Sequence, residues 1–437
     1  MKISILLCIF AFFASLREQV HAQTAASITK ELDSIDHVVA SQPCEGNSAQ
    51  AISHRAMNVF LADKTGYLSG SRDLSYFTNH VSLNSLEGKI AVSHNFQPRR
   101  GKDDPLKKLF NVGFEVTVPS NYTTWLTDQR YEGQIAITIN YKWMGRVKTK
   151  FSDCQSTGLN QKTTMDILRS TLLAVISSEL KEKEDLFLST INNSDTSAIA
   201  VEGRQLVKNN FYKSLYDWAT ERYASGQAEL LTSGSNFKLI STGWTSIYLI
   251  VPAYFPSYHV SPSFTEAFYN RHPYPLNIHL SHTRLWESSK TGRIFLTLDG
   301  SLTMNNSKLG YGLNKYSYAE YKSLGGTNTE FADKPSSSRL YIGPYSTFAT
   351  GTISAELVYF PRQSHIGFSL GGYQSLGDYH PFSCKVGLPV VLINKQKTPA
   401  VQIECYVLFL DLGRTTSVTD RNSVGISVGI PFSRLMY

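Results

Sequence analysis

The chain has 437 residues, with 42 basic and 35 acidic side chains; the net charge of +7 is mild for its length and not gathered into one run, which leaves little basis for a nucleic-acid partner. Only 18% of residues are charged while Tyr and Phe number 24 and 23, a balance that suits a β-rich envelope protein better than a soluble helical enzyme. After the first 22 residues no stretch stays apolar for the ~20 residues that a helical span needs, so a membrane location would require a closed barrel.

The first 22 residues read as a cleavable secretory signal: Lys2, the apolar run Ile3 to Leu16, the polar Arg17 to His21, then Ala22. Val20 and Ala22 place the cut before Gln23, and Cys8, inside the apolar run, is in the wrong place for a lipid-modified N-terminus. Removal takes away Lys2, Arg17 and Glu18, leaving 40 basic and 34 acidic residues and a charge of +6. Residues 23–85 form a mixed N-terminal segment, a candidate plug or cap, with helix-like pieces at Ile28 to Val39 and Ala51 to Ala62. Residues 86–437 are expected to form the β domain.

From Lys89 the apolar period becomes two. Ile90, Val92, His94 and Phe96 share one face; Phe110, Val112, Phe114, Val116 and Val118 share the next; Ile135, Ile137, Ile139, Tyr141 and Trp143 make the clearest run. The pattern then breaks for an insertion at about 160–226. There, Leu168, Leu172, Val175 and Leu180, and then Val207, Phe211, Leu215 and Trp218, stand at near-helical spacing, predicting a helical hairpin that caps the barrel mouth or docks a protein partner.

Strand character resumes at Phe237 and runs to the end, with a long Gly-, Asn-, Tyr- and Lys-rich loop at Asn305 to Ser337. Asn394 to Lys397 is a short hairpin turn between apolar runs. The strands number about twelve, uncertain by two. The long loop then falls at the wrong end of the barrel, so one strand is expected to be miscounted.

The last segment, Val424-Gly-Ile-Ser-Val-Gly-Ile-Pro-Phe432, followed by Tyr437, completes the pattern of signal plus alternating strands. In these features the chain, from roughly Lys89 to Tyr437, resembles the outer-membrane β-barrel proteins of Gram-negative bacteria. The resemblance is one of class, and no motif marks a subfamily. It implies a mainly β, antiparallel, closed transmembrane barrel, an outer-membrane location among outer-membrane lipids, and a barrel-assembly machinery that reads the last strand. Ser433 to Met436 separate the two terminal aromatics, leaving open which one would serve. The alternative fold is a secreted β-sandwich, in the periplasm or outside the cell, whose strands also alternate.

In a barrel the lumen would receive Lys89, Glu115, Lys142, Asp299, Glu356 and Glu404, either as pairs that hold the wall together or as charges that select solutes. Cys44 and Cys154 sit in loop-like settings and are a candidate disulfide; Cys384 and Cys405 read as small residues on an apolar face. His279 and His282 fall on opposite faces of a strand, Gly310-Tyr311-Gly312 lacks the setting of a phosphate loop, and no nucleophile arrangement stands out. No catalytic, cofactor or metal residue is therefore assigned. The expected function is a non-enzymatic pore, transporter or envelope structural component; the alternatives are a membrane-embedded hydrolase of lipid or peptide and a soluble secreted binding protein.

Overall fold

The computed structural model describes residues 24–434, except 46–48, 69–77, 87, 97–102, 104, 118–125, 128–129, 132–133, 155–157, 192–197, 235, 256–257, 264–265, 268, 273, 307–313, 317–318, 324–330, 336–339, 363, 378–380, 396–397, 411 and 413–421. Residues 1–22, where the signal is expected, and Tyr437 lie outside the described residues.

Two helices come first. α1 (Ala25–Ala40) opens on a capping box, in which the Thr24 hydroxyl accepts from the Ser27 amide at 3.2 Å and the Ser27 hydroxyl accepts from the Thr24 amide at 2.8 Å. α2 (His54–Thr65) is capped by Ser53, whose hydroxyl accepts from the Ala56 amide, and runs on into a tight turn at Gly66–Leu68. The Asp103 carboxylate accepts from the His54 and Arg55 amides at 2.9 and 2.8 Å, placing a negative charge at the positive end of α2.

The strands follow in chain order: β1 (Thr78–Asn84), β2 (Lys89–Phe96), β3 (Lys108–Thr117) and β4 (Gln134–Met144). The long helices α3 (Gln161–Thr190) and α4 (Ala198–Ser233) intervene. Then come β5 (Leu239–Tyr254), β6 (Asn277–Ser288), β7 (Gly292–Asn306) and β8 (Thr347–Pro361). The chain ends with β9 (Phe368–Leu376), β10 (Phe382–Ile393), β11 (Pro399–Phe409) and β12 (Asn422–Arg434).

Each of these strands pairs antiparallel with the next, and β4 meets β5 directly although the two helices lie between them in sequence. β12 returns to β1, from Thr78↔Arg434 to Asn84↔Ser427. Of the thirteen strands in this sheet one is the three-residue Lys148–Lys150 beside the start of β5; the other twelve form a closed ring without an open edge. The closed ring rules out the β-sandwich.

The barrel begins at Thr78, so the expected boundary at residue 86 is too late. Thr78–Asn84 contains only Val81 and Leu83 as apolar residues, and a strand that short gives no visible period. With it included, the count is even, and the two longest connections outside the helical insertion lie at one end. The termini lie at the same end as the connections 289–291, 362–367 and 394–398; the long connections 255–276 and 307–346 lie at the other.

The alternation has its expected sense. Val92, Phe114, Leu280, Leu298, Ile353, Leu388 and Ile426 point outward and are exposed, while Asn95, Asn111, Thr138, Ser281 and Ser427 are buried in the interior. An aliphatic exterior, a polar interior and an even, closed antiparallel ring are the architecture of outer-membrane β-barrels. No described helix is long and apolar enough to cross a membrane.

Candidate functional site: the barrel mouth and its helix

The helices gather at the end of the barrel that holds the termini. Leu173, Ile176 and Leu180 of α3 pack with Tyr212, Leu215, Ala219 and Tyr223 of α4 and with Ile28 and Leu32 of α1. The expected stripes are partly corrected here: Val207 of α4 is exposed, and so is Val175, because the buried face of α3 is led by Met165 and Arg169, one step round from the residues that the apolar spacing selected. Arg169, fully buried, is the hub of this cluster. It donates to Asp36 of α1 at 2.8 Å, to Asp166 at 2.7 Å and to the Ala51 carbonyl at 2.8 Å. Tyr223 donates to the same Asp36 oxygen at 2.8 Å, and burial, then this carboxylate, pushes its phenol above the ordinary value.

α2 is the element that the barrel encloses. From Arg55 to Leu68 all residues except Asp63 are buried, among them the polar Arg55, Asn58, Lys64 and Thr65. A helix buried on every side has walls all round it. Those walls are Ile240 and Trp244 of β5, Leu285 of β6, Phe295 of β7, Val358 and Phe360 of β8 and Val391 of β10, which form one apolar core with Met57, Phe60 and Leu61. Gly66 brings the end of α2 close to the wall: a Cβ there would lie 3.0 Å from the Pro399 side chain of β11.

Polar side chains fasten α2 to the wall. Lys64 Nζ lies 3.7 Å from Glu287 of β6, and the Arg293 guanidinium of β7 donates to both oxygens of that carboxylate, at 2.6 and 3.3 Å. The same guanidinium lies over the Tyr67 ring, 3.9 Å from its centre; Tyr67 packs edge-on against Phe360, and its hydroxyl hydrogen-bonds His365 Nδ1 at 3.1 Å. Burial pushes the Lys64 ammonium down to about 8, against the pull of Glu287.

The six charges expected in the lumen all stand on barrel strands, buried or half-buried. Lys89 and Glu115 pair at 2.6 Å. Glu356 and Glu404 share Lys385, at 2.5 and 3.1 Å, and the Ser369 hydroxyl donates to Glu404. Asp299 meets His279 at 3.2 Å, and Lys142 is fully buried. Lys89 with Glu115, Glu356 with Glu404, and Asp299 thus belong to three separate clusters along the wall. Lys385, the shared partner of Glu356 and Glu404, was missed; it follows Cys384 on β10 and reads as inward only once the register is known.

Cys44 and Cys154 form a disulfide. Cys384 and Cys405 are free and face outward. On the inner wall Ser93 hydrogen-bonds His80 across β1 and β2, but both are buried and no described carboxylate orients the imidazole, so the pair lacks the third member of a hydrolytic set. Among the described residues no cluster of His, Cys, Asp and Glu could hold a metal ion.

No protein-family model matches the sequence, and no curated protein matches it. Among solved structures, the NanC porin aligns over 82% of this chain and 99% of its own, at 6% identity and a TM-score of 0.27. A loop L8 deletion mutant of OmpT, an outer membrane protein of Vibrio cholerae, aligns over 82% and 98%, at 7% identity and a TM-score of 0.25. At such scores the likeness carries no argument; the barrel rests on its own strand pairing.

Proposed function

We propose that this protein is an exported outer-membrane barrel that works as a plugged solute channel, with residues 54–68 as the plug and α1, α3 and α4 as a platform on the periplasmic side. The observation that carries the reading is the burial of α2 inside the terminal end of the ring, held there by Lys64, Glu287, Arg293 and Tyr67.

Dimensions agree with it. Twelve strands spaced ~4.8 Å apart and tilted ~40° give a ring about 24 Å across, from which inward side chains take roughly 5 Å on each side. The remaining ~14 Å is close to the 10–12 Å diameter of one helix with its side chains. One helix is enough to close the opening. The orientation follows from the connections, since such barrels carry their short turns on the periplasmic side and their long loops outside.

The test is planar-bilayer conductance. The intact protein is expected to show a low current and a variant lacking residues 54–68 a steady, larger one; equal currents, or none from either, would remove the channel reading. Fractionation of the mature chain into the soluble periplasm would remove the membrane reading.

A further inference from the structure

At the seam between the plug and the wall lies a cavity of about 300 Å³. One side is α2, through His54, Met57, Asn58 and Leu61; the other is the end of β4 with the segment after it and the start of β5, through Met144, Arg146 and Thr242. Its walls divide by chemistry. Met57, Leu61, Leu106, Met144 and Val147 make an apolar body, and the two methionines allow it to adapt in shape.

Part of the polar lining is left unsatisfied within the protein: the Thr242 hydroxyl is buried with no hydrogen-bond partner. Asn58, 6% exposed, stands in the same lining. A buried hydroxyl or amide left unpaired costs free energy, so such groups in a cavity mark the place of something that pairs with them. The lining holds one fixed charge, Arg146, and no carboxylate, and no described carboxylate pairs with Arg146.

We propose that this seam cavity binds a small organic monoanion with an apolar tail, of the medium-chain carboxylate class, and that the bound anion pins the plug to the wall. The carboxylate faces Arg146 at the rim, with Thr242 and Asn58 hydrogen-bonding the head, and the tail lies along Met57, Leu61 and Leu106. Pinning rests on the plug reading above; binding does not. A ligand that touches both α2 and β5 binds the closed arrangement better than any arrangement in which they separate, and so shifts the population toward closure.

The test uses the full mature protein in nanodiscs and decanoate as the probe, with decanol and decyltrimethylammonium as controls, read by calorimetry. Decanoate is expected to bind once per chain, and both controls at least tenfold more weakly. Arg146→Gln and Thr242→Val are expected to weaken decanoate at least fivefold each. Leu61→Trp, which fills the cavity, abolishes binding; because it alters α2 itself, the two wall variants stand independently of whether it folds. Decanoate binding that none of these variants changes would be adsorption to the apolar belt and would overturn the site, as would the absence of binding at millimolar probe. Bilayer recordings then separate the two ideas: decanoate lowering residual openings supports pinning, decanoate bound without effect on a channel that opens overturns pinning alone, and failure of the plug reading shows as equal current with and without residues 54–68.

Discussion

The Arg293 guanidinium lies 3.9 Å from the centre of the Tyr67 ring, so a cation of the barrel wall is capped by the last aromatic of the enclosed helical segment. Tyr67 also meets Phe360 and His365, joining the plug to three separate places on the barrel. Tyr67→Ala is expected to weaken plug docking by ~3 kcal/mol through lost packing and cation–π contact, and Tyr67→Phe by ~1 kcal/mol through the lost hydroxyl bond. Protease sensitivity of residues 54–68 in the assembled barrel reads both; equal effects would mean that the ring contributes nothing.

Glu287 holds two cations in a buried setting. Glu287→Gln leaves Lys64 and Arg293 facing each other without a carboxylate, and a cost of ~3–5 kcal/mol is expected, seen as raised basal conductance or a lowered melting temperature. Lys64→Met should be neutral or stabilising, because it removes one buried charge and leaves the Arg293–Glu287 pair complete.

Lys64 also gives a pH dependence with a fixed sign. Its folded value of about 8 lies below its ordinary 10.5, so between these values the unfolded chain holds more protons than the folded one. Stability from this group therefore rises with pH from about 8 to 10.5. The difference in melting temperature between wild type and Lys64→Met, followed from pH 7 to pH 10.5, isolates the effect from that of the tyrosines. A flat difference would show that the ammonium is not desolvated as described.

The disulfide joins Cys44 to Cys154, 110 positions further along the chain. Cys44→Ser with Cys154→Ser is expected to destabilise the helical platform by ~2–5 kcal/mol while leaving the barrel closed. Helical signal lost on heating well before the β signal would bear this out; one common transition unchanged from wild type would not.

The exterior belt predicts a contrast between faces. Ile353→Arg, on an outward position, should cost ~2–4 kcal/mol in the bilayer and reduce recovery in the membrane fraction. Ser354→Arg, one residue along and facing the lumen, should be recovered far better. Equal recovery would contradict the assignment of inside and outside.

The barrel was legible in the sequence because one face of each long strand is aliphatic: Ile135 to Trp143 and Val424 to Ile430 carry the period of two without a break. β1 was not, since a seven-residue strand with Val81 and Leu83 alone has no pattern to find. The six lumen charges could be named from alternation, but their partners could not, because pairing such as Glu356 with Lys385 depends on register across three strands. The plug helix was found as a helix, yet nothing in Arg55 to Thr65 announces enclosure; its hydrophobicity is modest, and burial comes from the ring around it. Arg169 escaped for a related reason, as an arginine on an amphipathic helix reads as solvated until Asp36 and the Ala51 carbonyl are seen beside it.

Nine residues separate Leu68 from β1, and Cys44, nine residues before the Ser53 cap, is bonded to Cys154. Nine residues reach at most about 30 Å when fully drawn out. If the enclosed helix works as the proposed plug, the stopper is captive. However it is dislodged, it stays within a short distance of the hole it leaves, and its return is an encounter within one molecule, with a local concentration in the millimolar range whatever the amount of protein in the membrane.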